Sequence, residues 1–167
     1  MNRKRLGMLC VLLGWMVLIY LFSAQNSANS STLSSGMLRK LLGLLPGWNA
    51  LSAVAQARRV RALHGIFRKL GHFSEYAILG ALASLTMRVG FPVTERTQQR
   101  VRYFLIPACF ALLSAAGDEI HQLFVPGRSG EFRDVMIDFS GALLGILLTG
   151  AAVWLHARRK RKKQADT

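Results

Sequence analysis

Ionisable residues set inside apolar stretches are the part of this 167-residue sequence with the most chemistry to offer. Lys69, His72, Glu75 and Tyr76 open one apolar run at steps of three, three and one, which places them on one side of a helix. A second run closes on Asp118, Glu119, His121 and Gln122, with Ser114, Asp118 and Gln122 stacked at intervals of four. Pro126-Gly127 then makes a turn, residues 128–133 bring the chain back, and a further run begins with Asp134 and Asp138 one helical turn apart. Each ionisable side chain inside a membrane span costs about 2.5–3.5 kcal/mol on insertion scales, so such a residue calls for a partner or a function.

If these three runs pack together, Lys69, His72, Glu75, Asp118, Glu119, Gln122, Arg128, Asp134 and Asp138 converge at one end of the bundle. One reading is structural: Lys69 and Arg128 pair with acids and tie helix ends together. Two bases do not neutralise this many carboxylates. The surplus could hold a divalent cation, share protons between neighbours, or meet a cationic or hydroxyl-rich ligand. For catalysis the candidates are His72, Glu75, Asp118 and Glu119, with a carboxylate as general base and His72 as acid or ligand. For substrate binding they are Lys69, Tyr76, Gln122, Arg128, Asp134 and Asp138.

The elements that must position these residues are transmembrane helices. Half of the residues are hydrophobic (51%), yet the formal net charge is +14, so apolar and charged residues are segregated along the chain. Four runs approach or reach the roughly 17–25 residues that cross a bilayer: 6–22, 70–87, 103–122 and 135–155. The predicted fold class is all-α, a polytopic bundle of four transmembrane helices. It forms one membrane domain over 1–157, followed by a basic cytoplasmic tail over 158–167. Gly141 and Gly145 extend the face of Asp134 and Asp138, and this Gly-x-x-x-Gly spacing predicts a close helix contact with both aspartates pointing into the bundle.

Cationic residues mark cytoplasmic segments. They fill the N-terminal arm (Arg3, Lys4, Arg5), the second connection (Arg88, Arg96, Arg100, Arg102) and the tail (Arg158 to Lys163), which places both termini in the cytoplasm and segment 118–134 outside. The long first connection, 23–69, is also basic, and long loops follow the rule less strictly. Leu38, Leu41, Leu42 and Leu45 recur there at helical spacing after Ser34 and Ser35, which can cap, and Pro46-Gly47 ends the run. A second weakly helical stretch covers 50–67. The predicted arrangement is short amphipathic helices lying on an anionic outer leaflet, and the alternative is a solvated linker. The N-terminus also has features of a secretory signal peptide, but its apolar stretch is long and Phe22 is bulky for a cleavage site, so an uncleaved span is preferred.

Other classes find little support. Cys10 and Cys109 lie inside apolar runs and predict no disulfide. No Cys/His spacing suits a structural zinc site, and no Gly-rich phosphate loop, nucleotide motif or Ser-His-Asp order is present. The basic tail suits anionic headgroups better than nucleic acid, so the expected partners are membrane lipids.

Taken together, Phe22-Ser23-Ala24-Gln25, then Arg68-Lys69-x-x-His72-Phe73-x-Glu75-Tyr76-x-x-Leu79-Gly80, then Asp118-Glu119-x-His121-Gln122-x-Phe124-x-Pro126-Gly127-Arg128 and Asp134-x-x-x-Asp138-x-x-Gly141 resemble the VanZ-like family over nearly the whole chain. Ala24 departs from the pattern, in which a second serine is common, and Ser23 is given no role as a nucleophile. The resemblance implies a protein of the bacterial cytoplasmic membrane related to the factor for low-level resistance to the glycopeptide teicoplanin. It does not supply a mechanism. Two functions compete: an envelope protein whose outward polar site engages a lipid-linked cell-wall intermediate, an anionic lipid or a glycopeptide, and an intramembrane hydrolase or transferase acting on a lipid-linked substrate, in which Arg128 steadies a phosphate or carboxylate. The first is preferred. A transporter would need ionisable groups reaching the bilayer midplane, and here they stop near one face.

Overall fold

A computed structural model describes residues 3–165, which form α1 (Arg3–Ser23), α2 (Ser27–Leu42), a 3₁₀ turn (Trp48–Ala50), α3 (Ala53–Gly90), α4 (Arg96–Arg100), a π-helical turn (Val101–Leu105), α5 (Ile106–Gln122) and α6 (Phe132–Ala165). Three of these helical stretches are long and apolar enough to cross a membrane: Arg3–Ser23, Arg96–Gln122 and Phe132–Gln164. The fourth predicted run, 70–87, is helical and belongs to α3, where His72, Ser74, Glu75 and Tyr76 dilute its apolar character.

The first connection is folded, and it departs from the predicted pair of short helices. α2 is capped by Asn26, whose side chain accepts the N–H of Asn29 at 2.8 Å, so Ser34 and Ser35 lie within the helix and do not start it. The stretch 50–67 is no separate helix. Ser52 caps it, and it then runs without a break into the fourth apolar run, because nothing between Ala53 and Gly90 interrupts the helix. At 1.5 Å per residue the 38 residues of α3 extend about 57 Å, well beyond a hydrocarbon core of about 30 Å. The basic first half therefore projects past any slab that the second half occupies. Between α2 and α3, Gly47 takes a φ of 79°, which a side chain would resist, and Trp48 turns inward to pack with Leu38 and Val60. Ser34 and His64 add a side-chain hydrogen bond of 2.6 Å across the same pair of helices.

The second half of α3 is the centre of the bundle and packs against α1, α5 and α6. Glycines allow its approach to α6. A Cβ on Gly141 or Gly145 would overlap the backbone of Phe73 or Ala77, and one on Gly80 would overlap that of Ala142. The core itself is made of Leu12, Ile19, Tyr76, Leu79, Ala83, Ala111, Ala115, Val135 and Ala142. Large apolar side chains such as Leu13, Leu113 and Leu148 point outward, the distribution expected when lipid is the solvent.

Before α5 the helix widens into the π turn, and Pro107 gives the reason. Lacking an N–H, it cannot bond the carbonyl of Tyr103, and the Ser84 hydroxyl of α3 donates to that carbonyl instead, at 2.9 Å. At the other end, α6 continues as helix through the basic segment that the sequence assigns to a tail.

Candidate functional site

Three helices carry the polar residues to a common end. α3 contributes Lys69, His72, Glu75 and Tyr76, α5 contributes Asp118, Glu119 and Gln122, and α6 contributes Asp134 and Asp138. The turn between α5 and α6 closes over them. In it Pro126 and Gly127, the latter with φ 74°, form the middle of a tight turn whose ends are joined by the Arg128 N–H and the Val125 carbonyl at 3.1 Å.

That turn delivers Arg128 to the end of α1. Its guanidinium donates to the backbone carbonyls of Gln25 at 3.3 Å and Phe22 at 3.4 Å, at the helix end where carbonyls lose their regular intrahelical partners; the Phe22 carbonyl also accepts the Gln25 N–H at 3.3 Å. It also reaches the Gln122 side-chain oxygen at 3.4 Å. The Gln122 amide nitrogen in turn donates to Asp118 at 3.1 Å and Glu119 at 3.2 Å. Burial and the neighbouring Arg68 guanidinium pull the Arg128 pKa below the usual arginine value, and Asp118, Glu119 and Glu75 oppose them.

Not every predicted site residue has the same freedom. Lys69 and Asp134 form an ion pair that links α3 to α6, and both side chains are partly exposed. One Glu119 oxygen accepts the backbone N–H of Glu131 at 2.8 Å, which supports the start of α6. His72, Asp118 and Asp138, by contrast, each offer one potential ligand atom, and these atoms lie within 4.8 Å of one another. Asp138 is 1% exposed, and among the described residues neither of its oxygens has a hydrogen-bond partner; the buried Nδ1 of His72 has none either.

Two cavities border the group. One, of about 200 Å³, lies between α1, α2, α3 and the α5–α6 turn; Arg68, Arg128, His72 and Glu75 supply its ionisable lining, Gln25, Ser30 and Ser34 add neutral polar groups, and Phe22, Leu33, Met37 and Phe67 form its apolar wall. The other, of about 260 Å³, is bordered by Tyr76, Asp118, His121, Tyr20 and Ser114. The structure thus brings Glu75, His72 and Arg128 to one cavity and Tyr76 and Asp118 to the other. Arg68, Gln25 and the α2 wall were not among the residues expected at the site. Arg68 stands one position before Lys69, but α2 has no polar signature that ties it to the site.

Apolar helices enclosing a carboxylate, imidazole and guanidinium cluster at one end define an all-helical protein of membrane character with a buried polar site. The model of the VanZ/LLP1 family matches residues 8–154, nearly the whole chain, and the chain belongs to that family. Searches among curated proteins and among solved structures give no match.

Proposed function

We propose that this protein crosses the bacterial cytoplasmic membrane four times, with both termini in the cytoplasm, and that its outward polar cleft binds a phosphate-bearing lipid or lipid-linked intermediate of the cell envelope. Through that binding it contributes to resistance to glycopeptides such as teicoplanin. The second half of α3 is the additional crossing. It packs against all three of the apolar spans, so its polar positions need not meet lipid, and the basic segments 3–5, 88–102 and 158–163 then share one side.

The ligand class follows from two arginines. Arg68 and Arg128 face the same cavity, and the Arg68 guanidinium has no hydrogen bond or ion pair among the described residues while its charge acts on Arg128. Two guanidiniums held near each other repel, and an anion between them removes the repulsion. Phosphate suits their planar donors. Phe22, Leu33, Met37 and Phe67 beside them suit a hydrocarbon chain.

The test is made in a strain whose teicoplanin susceptibility depends on this protein. Arg68→Gln should remove the protection while the amount of protein in the membrane stays unchanged. Protection retained by this variant at normal abundance would contradict the reading. A hydrolase or transferase is favoured by one specific observation, the His72, Asp118 and Asp138 cluster beside the cavity. Chemical conversion of the bound lipid, read by mass spectrometry, would replace binding by catalysis.

A further inference from the structure

We infer that His72, Asp118 and Asp138 form a divalent transition-metal site, built from one residue on each of three helices and suited to zinc. The environment of Asp138 is the main reason. Its carboxylate is almost fully enclosed, 1% exposed, and both oxygens lack a hydrogen-bond donor among the described residues. An ionised carboxylate in such a place is normally paired, hydrogen-bonded or bound to metal, and without any of these it takes up a proton. Among the described residues no arginine or lysine pairs with it: Lys69 is taken by Asp134, and Arg128 donates to the carbonyls of Phe22 and Gln25 and to the side chain of Gln122.

What Asp138 does face is a second carboxylate and an imidazole, and their ligand atoms lie within 4.8 Å of one another. Zinc at about 2.1 Å from each would need separations of roughly 3.4 Å in a tetrahedral arrangement, which small side-chain rotations supply. The remaining parts fit. One Asp118 oxygen accepts from Gln122 at 3.1 Å, an outer-shell bond of the kind that orients a ligating carboxylate. Imidazole with two carboxylates suits zinc or manganese better than magnesium or calcium, which favour all-oxygen shells. Three protein ligands leave coordination positions open, as in zinc sites that meet an exogenous ligand.

The open positions connect the metal site to the proposed function and rest on that reading for their occupant. His72 lines the cavity that holds Arg68 and Arg128, so a phosphate oxygen bound there lies within the neighbourhood of the ion. The ligand set itself depends only on the three side chains.

Full-length protein, purified with a histidine-free tag, stripped with chelator and exchanged into detergent, is titrated with Zn²⁺ alone and its metal content measured. One zinc per chain is expected. Asp138→Asn, His72→Gln and Asp118→Asn should each weaken binding roughly 100-fold or more, whereas Glu95→Gln, remote in an exposed loop, should not. Thermal unfolding guards against misfolding. With chelator present, Asp138→Asn should melt at or above the wild-type temperature, since it replaces a buried carboxyl group that has no hydrogen-bond partner among the described residues by a neutral amide of the same size, and only the wild type should gain stability on adding Zn²⁺. Co²⁺ in place of zinc should give a d–d absorption spectrum that His72→Gln changes. Less than a tenth of an equivalent of metal in the wild type, or equal zinc-induced stabilisation of Asp138→Asn, overturns the assignment. Lipid binding that persists in stripped protein would then leave the proposed function standing.

Discussion

The carboxylate of Glu119 on α5 accepts the backbone N–H of Glu131 at 2.8 Å, so a side chain from one helix completes the start of the next. Glu119 is 6% exposed, and its other oxygen receives the Gln122 amide at 3.2 Å. Removing the carboxylate strands a donor at the N-terminus of α6. Glu119→Ala should therefore lower stability by about 1–2 kcal/mol, with Glu119→Gln losing less because an acceptor oxygen remains. Thermal unfolding in detergent measures both. If Glu119→Ala melts with the wild type, the α5–α6 link does not hold the turn.

The close pass of α3 and α6 makes a second prediction. A Cβ on Gly145 would collide with the Ala77 carbonyl, and backbone cannot rotate out of the way as a side chain can. Gly145→Ala should lose about 1–3 kcal/mol despite the better helix propensity of alanine. Ala151→Leu, on an exposed position of the same helix, should change little. Equal melting temperatures for the two variants would mean that the helices stand farther apart.

Topology separates four crossings from three. Reporter fusions after Gly47 should be active outside, and fusions near Thr97 and after Lys163 should be active inside. If the second half of α3 does not cross, the Gly47 and Thr97 fusions report the same side.

Much of this was legible in the sequence for identifiable reasons. The spacing of four, three and four residues from Asp134 through Asp138 and Gly141 to Gly145 predicts one inward face, and the structure buries Asp138 and sets Gly141 and Gly145 against α3. Polar residues at corresponding ends of three helical runs likewise predict that His72, Asp118 and Asp138 meet. What the sequence did not reveal is tertiary. Whether 50–67 is a separate helix or the first part of α3 depends on the absence of a break, and helical periodicity reads the same either way. The role of Arg128 in holding the end of α1 depends on backbone carbonyls, which every residue carries. Equally, the α2 wall of the cavity comes from ordinary apolar residues of an amphipathic helix, whose partner no local pattern names.

Recognition of a lipid phosphate in the cleft is best measured at Arg68, whose guanidinium makes no hydrogen bond or ion pair among the described residues that its loss would disturb. Binding of a long-chain polyprenyl phosphate and of the corresponding alcohol is measured for wild-type protein and Arg68→Gln in nanodiscs of uncharged lipid. One lost charge-assisted contact is worth about 1.5–3 kcal/mol. The wild type should prefer the phosphate, and Arg68→Gln should weaken phosphate binding roughly ten- to hundredfold with the alcohol unaffected. Equal affinity of the wild type for phosphate and alcohol, or an Arg68→Gln variant that binds the phosphate as well as the wild type does, would rule out phosphate recognition by this cleft.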